Sequence, residues 1–562
     1  MPIDVAFGVL SDEFEDVILP GKVNLCWTRR YSSGMPPHPT SPLGPGWSVQ
    51  YFATLTHHED CYELFTPEGN IELFLDSENT VERGAIVRNL GTFKELFKRG
   101  KRYVVRSWNV ETGQVKCFTF VEARREEAWP LASVEDVTGH GLDLFRDNTG
   151  RLTSIRQRLE KRALTITYTV GDLVDGVVLT TSNAERYQLI RYQYDAAGRL
   201  AAAYDAAGDA DRYEYDEHHR LTRKITKDGG VFSFRYDERG RCIRSSGLDR
   251  YDEKTLKYLD AACYTQVTDS YGNSTLYKYL PTGKIVSSVD PLGGEKQTFY
   301  DEHGRITAKQ DANGTTAYYE FDDSGNRKTT INPLGQAYTY RFDSCHQPLI
   351  MIDPSGNTWK WEYTDDHRLC AIENPLGERW TIRYDAYGNA NEIINPCGAR
   401  KRQLFEEGVL KEATDWAGNS CRYRFDGFGR MVERTGPRGE KTVIAYDLLG
   451  YPTGIVLPDG STTRFTHDSA GNLTSVIDGD GRITRYRFGQ CRRLLERVGR
   501  NGEIVKYLWG TEPDWLDPRY THQIPARPHS EDQRKVSARR GNTTSSPKFP
   551  VSAAMRHMTS TD

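Results

Sequence analysis

Long apolar runs are absent. No window of the 562-residue chain approaches the roughly 18 uncharged apolar residues that a membrane-crossing helix needs, so no membrane span is expected. The opening MPIDVAFGVLSDEFEDV has neither a basic start nor a continuous apolar stretch, which argues against a signal peptide. No excess of one charge is present: 74 basic residues meet 78 acidic ones, a net of −4. A dedicated nucleic-acid binder would carry a basic field, so no nucleic-acid partner is expected. The ten cysteines are scattered from Cys26 to Cys491 with no CxxC and no regular spacing. A disulfide framework and a zinc site are both poorly supported, and synthesis in a reducing cytoplasm fits. What is plentiful is glycine (50), proline (25) and aromatics (32 Tyr, 21 Phe, 10 Trp), a turn-rich β composition.

The second half of the chain is periodic. Gly272, Gly293, Gly314, Gly335 and their successors to Gly502 recur every 21 residues, with one interval of 20. A second series, which includes Gly283, Gly304, Gly325, Gly388 and Gly408, keeps the same period and shares the short step. One missing residue within ARKRQLFEEG accounts for both defects. Each period holds two strands and two turns. Tyr338, Tyr340 and Phe342 fall on one face of a strand, with Thr339 and Arg341 on the other. Trp359, Trp361 and Tyr363 repeat that pattern 21 residues on, and Trp380, Ile382 and Tyr384 repeat it again. Alternation with period two means strands with one apolar face.

The turns agree. Asp in YDERG, YDEHG and FDDSG accepts a backbone amide, and the glycine that follows supplies a positive φ. His219, His346 and His367 stand where that glycine is missing, and His tolerates the left-handed region better than most residues. The second turn reads DPLG, NPLG or DPSG, with Pro presetting the first corner. Hairpins every ten or eleven residues predict a continuous antiparallel meander, all-β in class.

Catalytic and metal-binding patterns are weak along the same strands. THHEDC at 56–61 offers His57, His58, Glu59, Asp60 and Cys61, but neighbours on a strand point to opposite faces and do not converge on one ion. DGDG at 478–481 lacks the glutamate of a calcium loop. No phosphate loop, nucleophile elbow or HExxH is present. The expectation is a protein with no catalytic residue, no metal and no cofactor.

YDAAGR (Tyr194, Asp195, Gly198, Arg199), YDERGR (Tyr236, Asp237, Gly240, Arg241), YDEHGR (Tyr300, Asp301, Gly304, Arg305) and FDGFGR (Phe425, Asp426, Gly429, Arg430) resemble the YD repeat of Rhs proteins. PGKVNLCWTRRYSS and the GPGWS turn resemble the segment that opens an Rhs core. The likeness extends over roughly residues 3 to 510. It implies a β-ribbon spiralling into a hollow, cocoon-like shell, akin to bacterial Rhs polymorphic toxins, toxin-complex C components and teneurins. It further implies a non-enzymatic scaffold that encapsulates a C-terminal toxin for delivery to competing cells, by type VI or similar secretion. The partners so implied are the enclosed toxin polypeptide or a neighbouring secretion component. The protein would be cytoplasmic in the producing bacterium, then exported without a signal peptide.

The family's DPxGL self-cleavage motif has no counterpart. DPLG at 290–293 and DPSG at 353–356 are in phase with the second turn, and Asp517–Pro518 lacks the following glycine. The expected division is an N-terminal β region at 1–135, a repeat shell at 136–510 and a polar, basic, disordered tail at 511–562, a shell truncated without its toxin. FRDNTGRL at 145–152 reads as one divergent repeat. The alternative is a carbohydrate or cell-surface binding module that stacks glycans on the aromatic strand faces. Trp359, Trp361 and Trp380 are the candidate lumen or glycan aromatics under either reading.

Overall fold

Polar–apolar alternation cut by a turn every ten or so residues leaves no segment long enough to bury a helical stripe, and the chain folds as strands. The computed structural model describes residues 3–35, 41–121 and 127–507. Within them are 46 strands and three single-turn 3-10 helices, and no helix long and apolar enough to cross a membrane. The tail at 511–562 and Asp517–Pro518 lie outside the described residues.

Strands β1 (Ser11–Leu19), β2 (Leu25–Ser32) and β3 (Trp47–Val49) make a separate antiparallel sheet in that order. The strands from Thr54–His57 to Trp129–Glu135 curl until Trp129 and Pro130 pair back onto Leu55 and Thr54. Tyr62, Phe74, Tyr103, Phe120 and Trp129 fill the interior of this closed unit. Beyond it the meander runs unbroken to Ile504–Lys506, each strand antiparallel to the next.

Both turns of the repeat close the same way. The Gly335 amide donates to the Asn332 carbonyl, and the Asn332 amide donates to the Gln336 carbonyl. This three-residue loop ends in a left-handed residue, and beside the YD-type turns the register also slips by one, as between Arg341 and Phe342. His219, His346 and His367 hold that position at φ 62°, 63° and 62°. The short repeat differs as its length requires. Glu406 faces Val409 directly, leaving Glu407 (φ 50°) and Gly408 (φ 78°) as a two-residue loop with both residues left-handed. The missing residue is therefore absorbed by the turn, and the strands keep their faces.

The ribbon coils onto itself. The His140 ring meets the Tyr387 carbonyl at 2.7 Å, Arg162 donates to the Phe428 carbonyl at 2.5 Å, and Ser469 donates to the Lys227 carbonyl at 3.2 Å. Lys161 pairs with Glu407, and the His346 ring stacks on Trp108 at 3.8 Å. These partners are 238 to 266 residues apart. Lys227 and Ser469 sit in hairpin turns twenty-three strands apart, which sets one coil of the spiral. The YD-type turns form this seam: a Cβ at Gly408 would lie 2.6 Å from Leu159, whereas one at Gly335, in the other turn series, meets nothing within 4 Å. Among the described residues, one edge of the second coil is docked, while the turn glycines of the other, such as Gly335, Gly356 and Gly377, have open space around them.

The small N-terminal sheet lies across the aromatic face of the first coil. The Cys242 amide donates to the Gly8 carbonyl at 2.8 Å, Lys224 pairs with Asp12 at 2.9 Å, and Gln157 donates to the Val23 carbonyl at 3.1 Å. At its centre Arg29, 2% exposed, donates to the Asp16 carboxylate at 2.8 Å and to the Tyr213 hydroxyl at 2.6 Å. Tyr192 donates to the same carboxylate at 2.8 Å and accepts from the Trp27 indole at 2.8 Å. Removing one partner of a buried ion pair strands the other charge, at a cost of about 3–5 kcal/mol. Arg29→Ala is therefore expected to lower the thermal midpoint and to release residues 3–35 to limited proteolysis before the ribbon melts. An unchanged midpoint and digestion pattern would contradict this role.

Candidate functional site

The repeated Tyr, Asp, Gly and Arg form one ladder. The Asp301 carboxylate accepts the amides of His303 at 3.0 Å and Arg305 at 2.8 Å, and its second oxygen accepts Arg305 Nε at 2.7 Å. Asp195 with Arg199, Asp237 with Arg241 and Asp426 with Arg430 repeat this at 2.7, 2.9 and 2.7 Å. Each guanidinium then covers the aromatic ring of the next repeat: Arg199 over Tyr215 at 5.4 Å, Arg241 over Tyr258 at 4.2 Å, Arg305 over Phe321 at 4.6 Å and Arg430 over Tyr446 at 5.0 Å. The tyrosine hydroxyls reach back to a main-chain carbonyl of the preceding hairpin. Tyr236 donates to Leu221 O at 2.8 Å, Tyr300 to Ile285 O at 2.9 Å and Tyr194 to Val174 O at 2.6 Å. Phe425 holds the same slot without a hydroxyl. Gly198, Gly240, Gly304 and Gly429 end the loops at positive φ. Periodicity pointed to the Asp turn. The link from each arginine to the following aromatic had no local signal beyond the 21-residue spacing.

Register brings the three tryptophans onto one surface. Tyr340 faces Met351, which faces Trp359; Trp361 faces Ile372, which faces Trp380. All three are half-buried, while Lys360, Glu362 and Arg383 on the opposite face are exposed. That opposite face carries ion pairs such as Arg379–Glu362 at 2.5 Å and Lys360–Glu373 at 2.8 Å. The aromatic face continues the surface that, in the first coil, presents Tyr192 and Tyr213 to the N-terminal sheet. Tyr384 lies on it as well, and burial pushes its phenol up to about 12.

Other sequence candidates stay apart. His57 stacks on Tyr62 at 4.2 Å, whereas His58 reaches Glu63 at 3.7 Å. The Asp290 carboxylate accepts the amides of Leu292 and Gly294, and that of Asp353 the amides of Ser355 and Asn357. Both are turn residues.

A family model described as RHS Repeat matches residues 194–231, 215–247, 446–483 and 467–504. These segments are Rhs/YD repeats, and the chain is an Rhs-repeat protein over them. A model of a domain of unknown function, DUF6531, matches residues 1–74 of this Rhs chain. Comparison with curated proteins yields no match. Among solved structures, the TcdB2-TccC3 crystal structure is similar at TM-score 0.50 and 11% identity, over 90% of this chain and 36% of that one. TcdB2-TccC3 without its hypervariable C-terminal region gives 0.45 and 11%, over 85% and 30%. The Photorhabdus luminescens Tc holotoxin pore gives 0.45 and 11%, over 83% and 31%. The Rhs chain thus spans about a third of the length of the structures it resembles, and the likeness is one of fold.

The ladder sets a pH dependence. Partial burial pushes the Asp237 and Asp301 carboxyls up, but the amide and guanidinium of the arginine four residues on outweigh it and hold both below the ordinary 3.8. A carboxylate whose folded value is lowered contributes stability that is complete above its unfolded value and drains as pH falls through the folded one. The thermal midpoint is expected to be flat from pH 7 to about 5 and to fall steeply below about 4. A midpoint that rises on acidification would contradict the ladder's role. Arg305→Ala should lower the midpoint at pH 7 and flatten this acid limb.

Proposed function

We propose that this Rhs chain is a non-enzymatic shell wall whose concave, aromatic face encloses a polypeptide toxin for delivery to another cell. The observation that carries this reading is the path of the N-terminal sheet. Twenty-three strands at about 4.8 Å make a ring of roughly 17 Å radius. From Gly8 to Val23 the chain follows the ribbon from Cys242 to Gln157, eight strands away. A sheet riding about 10 Å outside such a ring needs about 60 Å for that crossing. Fifteen residues reach only about 50 Å. The sheet therefore lies within the curve, and the aromatic face it covers is the concave one. By register, Trp359, Trp361 and Trp380 line the uncovered part of the same concave surface.

A concave lattice of aromatics suits an unfolded or loosely packed guest, because ring faces bury apolar surface without demanding one fixed geometry. The ion-paired convex face suits water. Export through a type VI or comparable apparatus, toward competing cells, completes the proposal. It draws support from the Rhs repeats.

Two measurements test enclosure. A solid globule of this length has a radius of gyration of about 24 Å; small-angle scattering is expected to give a larger value with a central minimum in density. A protease-sensitive polypeptide fused after Asp562 should be cleaved at least tenfold more slowly than the same polypeptide free. Equal cleavage rates with a folded shell would overturn enclosure.

A further inference from the structure

The two faces of the second coil differ in the sign of their charge. The strands between Ile285 and Lys506 contain nine glutamates. Register places every one on the convex face: Glu373 opposite Lys360, Glu392 opposite Arg383 and Arg402, Glu433 opposite Arg424, Glu496 opposite Arg487. There they alternate with basic residues and seven of the nine are ion-paired, as in Arg402–Glu392 at 3.0 Å and Arg424–Glu433 at 2.9 Å.

The concave face of the same strands carries cations and no glutamate. Lys309 faces Thr298, Lys401 faces Ile393, Arg434 faces Tyr423 and Arg497 faces Tyr486. Lys296 faces Ser288 on the same side. Lys296, Lys309 and Arg434 are exposed to the space they face, and Arg497 reaches Glu503 at 3.6 Å. The aspartates near this face sit in the turns, where their carboxylates accept two backbone amides each, as Asp311 and Asp415 do. A wall that sorts all nine strand carboxylates outward gathers positive charge around the enclosed volume. A guest of the same sign would be repelled from a confined, poorly screened space, and one of opposite sign held.

We infer that the guest segment lying against this wall is an acidic polypeptide, its carboxylates meeting Lys296, Lys309, Lys401, Arg434 and Arg497 while its apolar side chains lie on the intervening Tyr and Trp rings. This rests on the enclosing role proposed above and adds the chemistry of the guest. Single-stranded nucleic acid also combines negative charge with stacking, but it requires a continuous basic track along its backbone. Five cations spread from residue 296 to 497 do not make one.

The test uses the full chain and three fluorescein-labelled probes read by anisotropy at low and physiological salt: a 30-residue Glu/Tyr/Ser polymer, its Lys/Tyr/Ser counterpart, and a 30-nucleotide oligothymidine. The glutamate polymer is expected to bind at least tenfold more tightly than the lysine polymer, with the difference shrinking as salt rises. Lys309→Glu, Lys401→Glu and Arg434→Glu together should invert that order. A convex-face control, Lys360→Glu with Arg402→Glu and Arg485→Glu, should leave it unchanged. Circular dichroism establishes that both variants are folded. Equal binding of the two peptides would overturn the acidic guest while leaving enclosure standing. Binding of neither peptide by the folded chain would overturn enclosure as well. Tighter binding of oligothymidine, or equal loss in the convex-face control, would also overturn the inference.

Discussion

The coupling of one hairpin to the next through Asp, Arg and an aromatic ring is the constraint on which everything else rests. A single-layer ribbon has no second sheet to lock its curvature, so each hairpin must be oriented by its neighbour. The carboxylate of Asp301 fixes its own loop and aims the Arg305 guanidinium, which in turn covers Phe321 of the following hairpin. The Tyr300 hydroxyl ties back to Ile285. Repetition of one angular step is what bends the ribbon into a coil, and nearest-neighbour coupling is the usual source of stability in repeat proteins.

The coil then creates two surfaces of different chemistry from one sequence pattern. Period two places aromatics on one side and ion pairs on the other. On the function proposed above, curvature makes the first concave and the second convex. The seam closes the wall where the YD-type turns of one coil meet loops about 240 residues earlier, through contacts such as His140 with the Tyr387 carbonyl. Each edge is a row of short hairpin tips rather than an unpaired strand, although Leu292, Leu334 and Leu376 stand exposed at the tips of one of them. Only stacking of successive coils supplies them with partners.

The N-terminal sheet serves a different purpose from the repeats. It covers the first coil's aromatic face with a buried network, Arg29–Asp16–Tyr192–Tyr213, and among the described residues leaves that of the second coil uncovered. A buried ion pair of this kind fixes position more than it adds stability, because desolvation offsets much of its attraction. On the function proposed above, the enclosed volume is bounded by one covered and one uncovered aromatic wall.

Much of the fold was legible in the chain alone. The Asp-x-x-Gly turns, the left-handed His219, His346 and His367, and the shared face of Trp359, Trp361 and Trp380 follow from local sterics and from period two, which act within a few residues. The YD signature likewise named the family. What the linear chain did not contain was which surface would be concave, which turns would meet across the seam, and that Arg29 would find Tyr213 184 residues away. Those depend on the small angle between successive hairpins, summed over twenty-three strands. No single repeat encodes that sum, so only the assembled coil decided it.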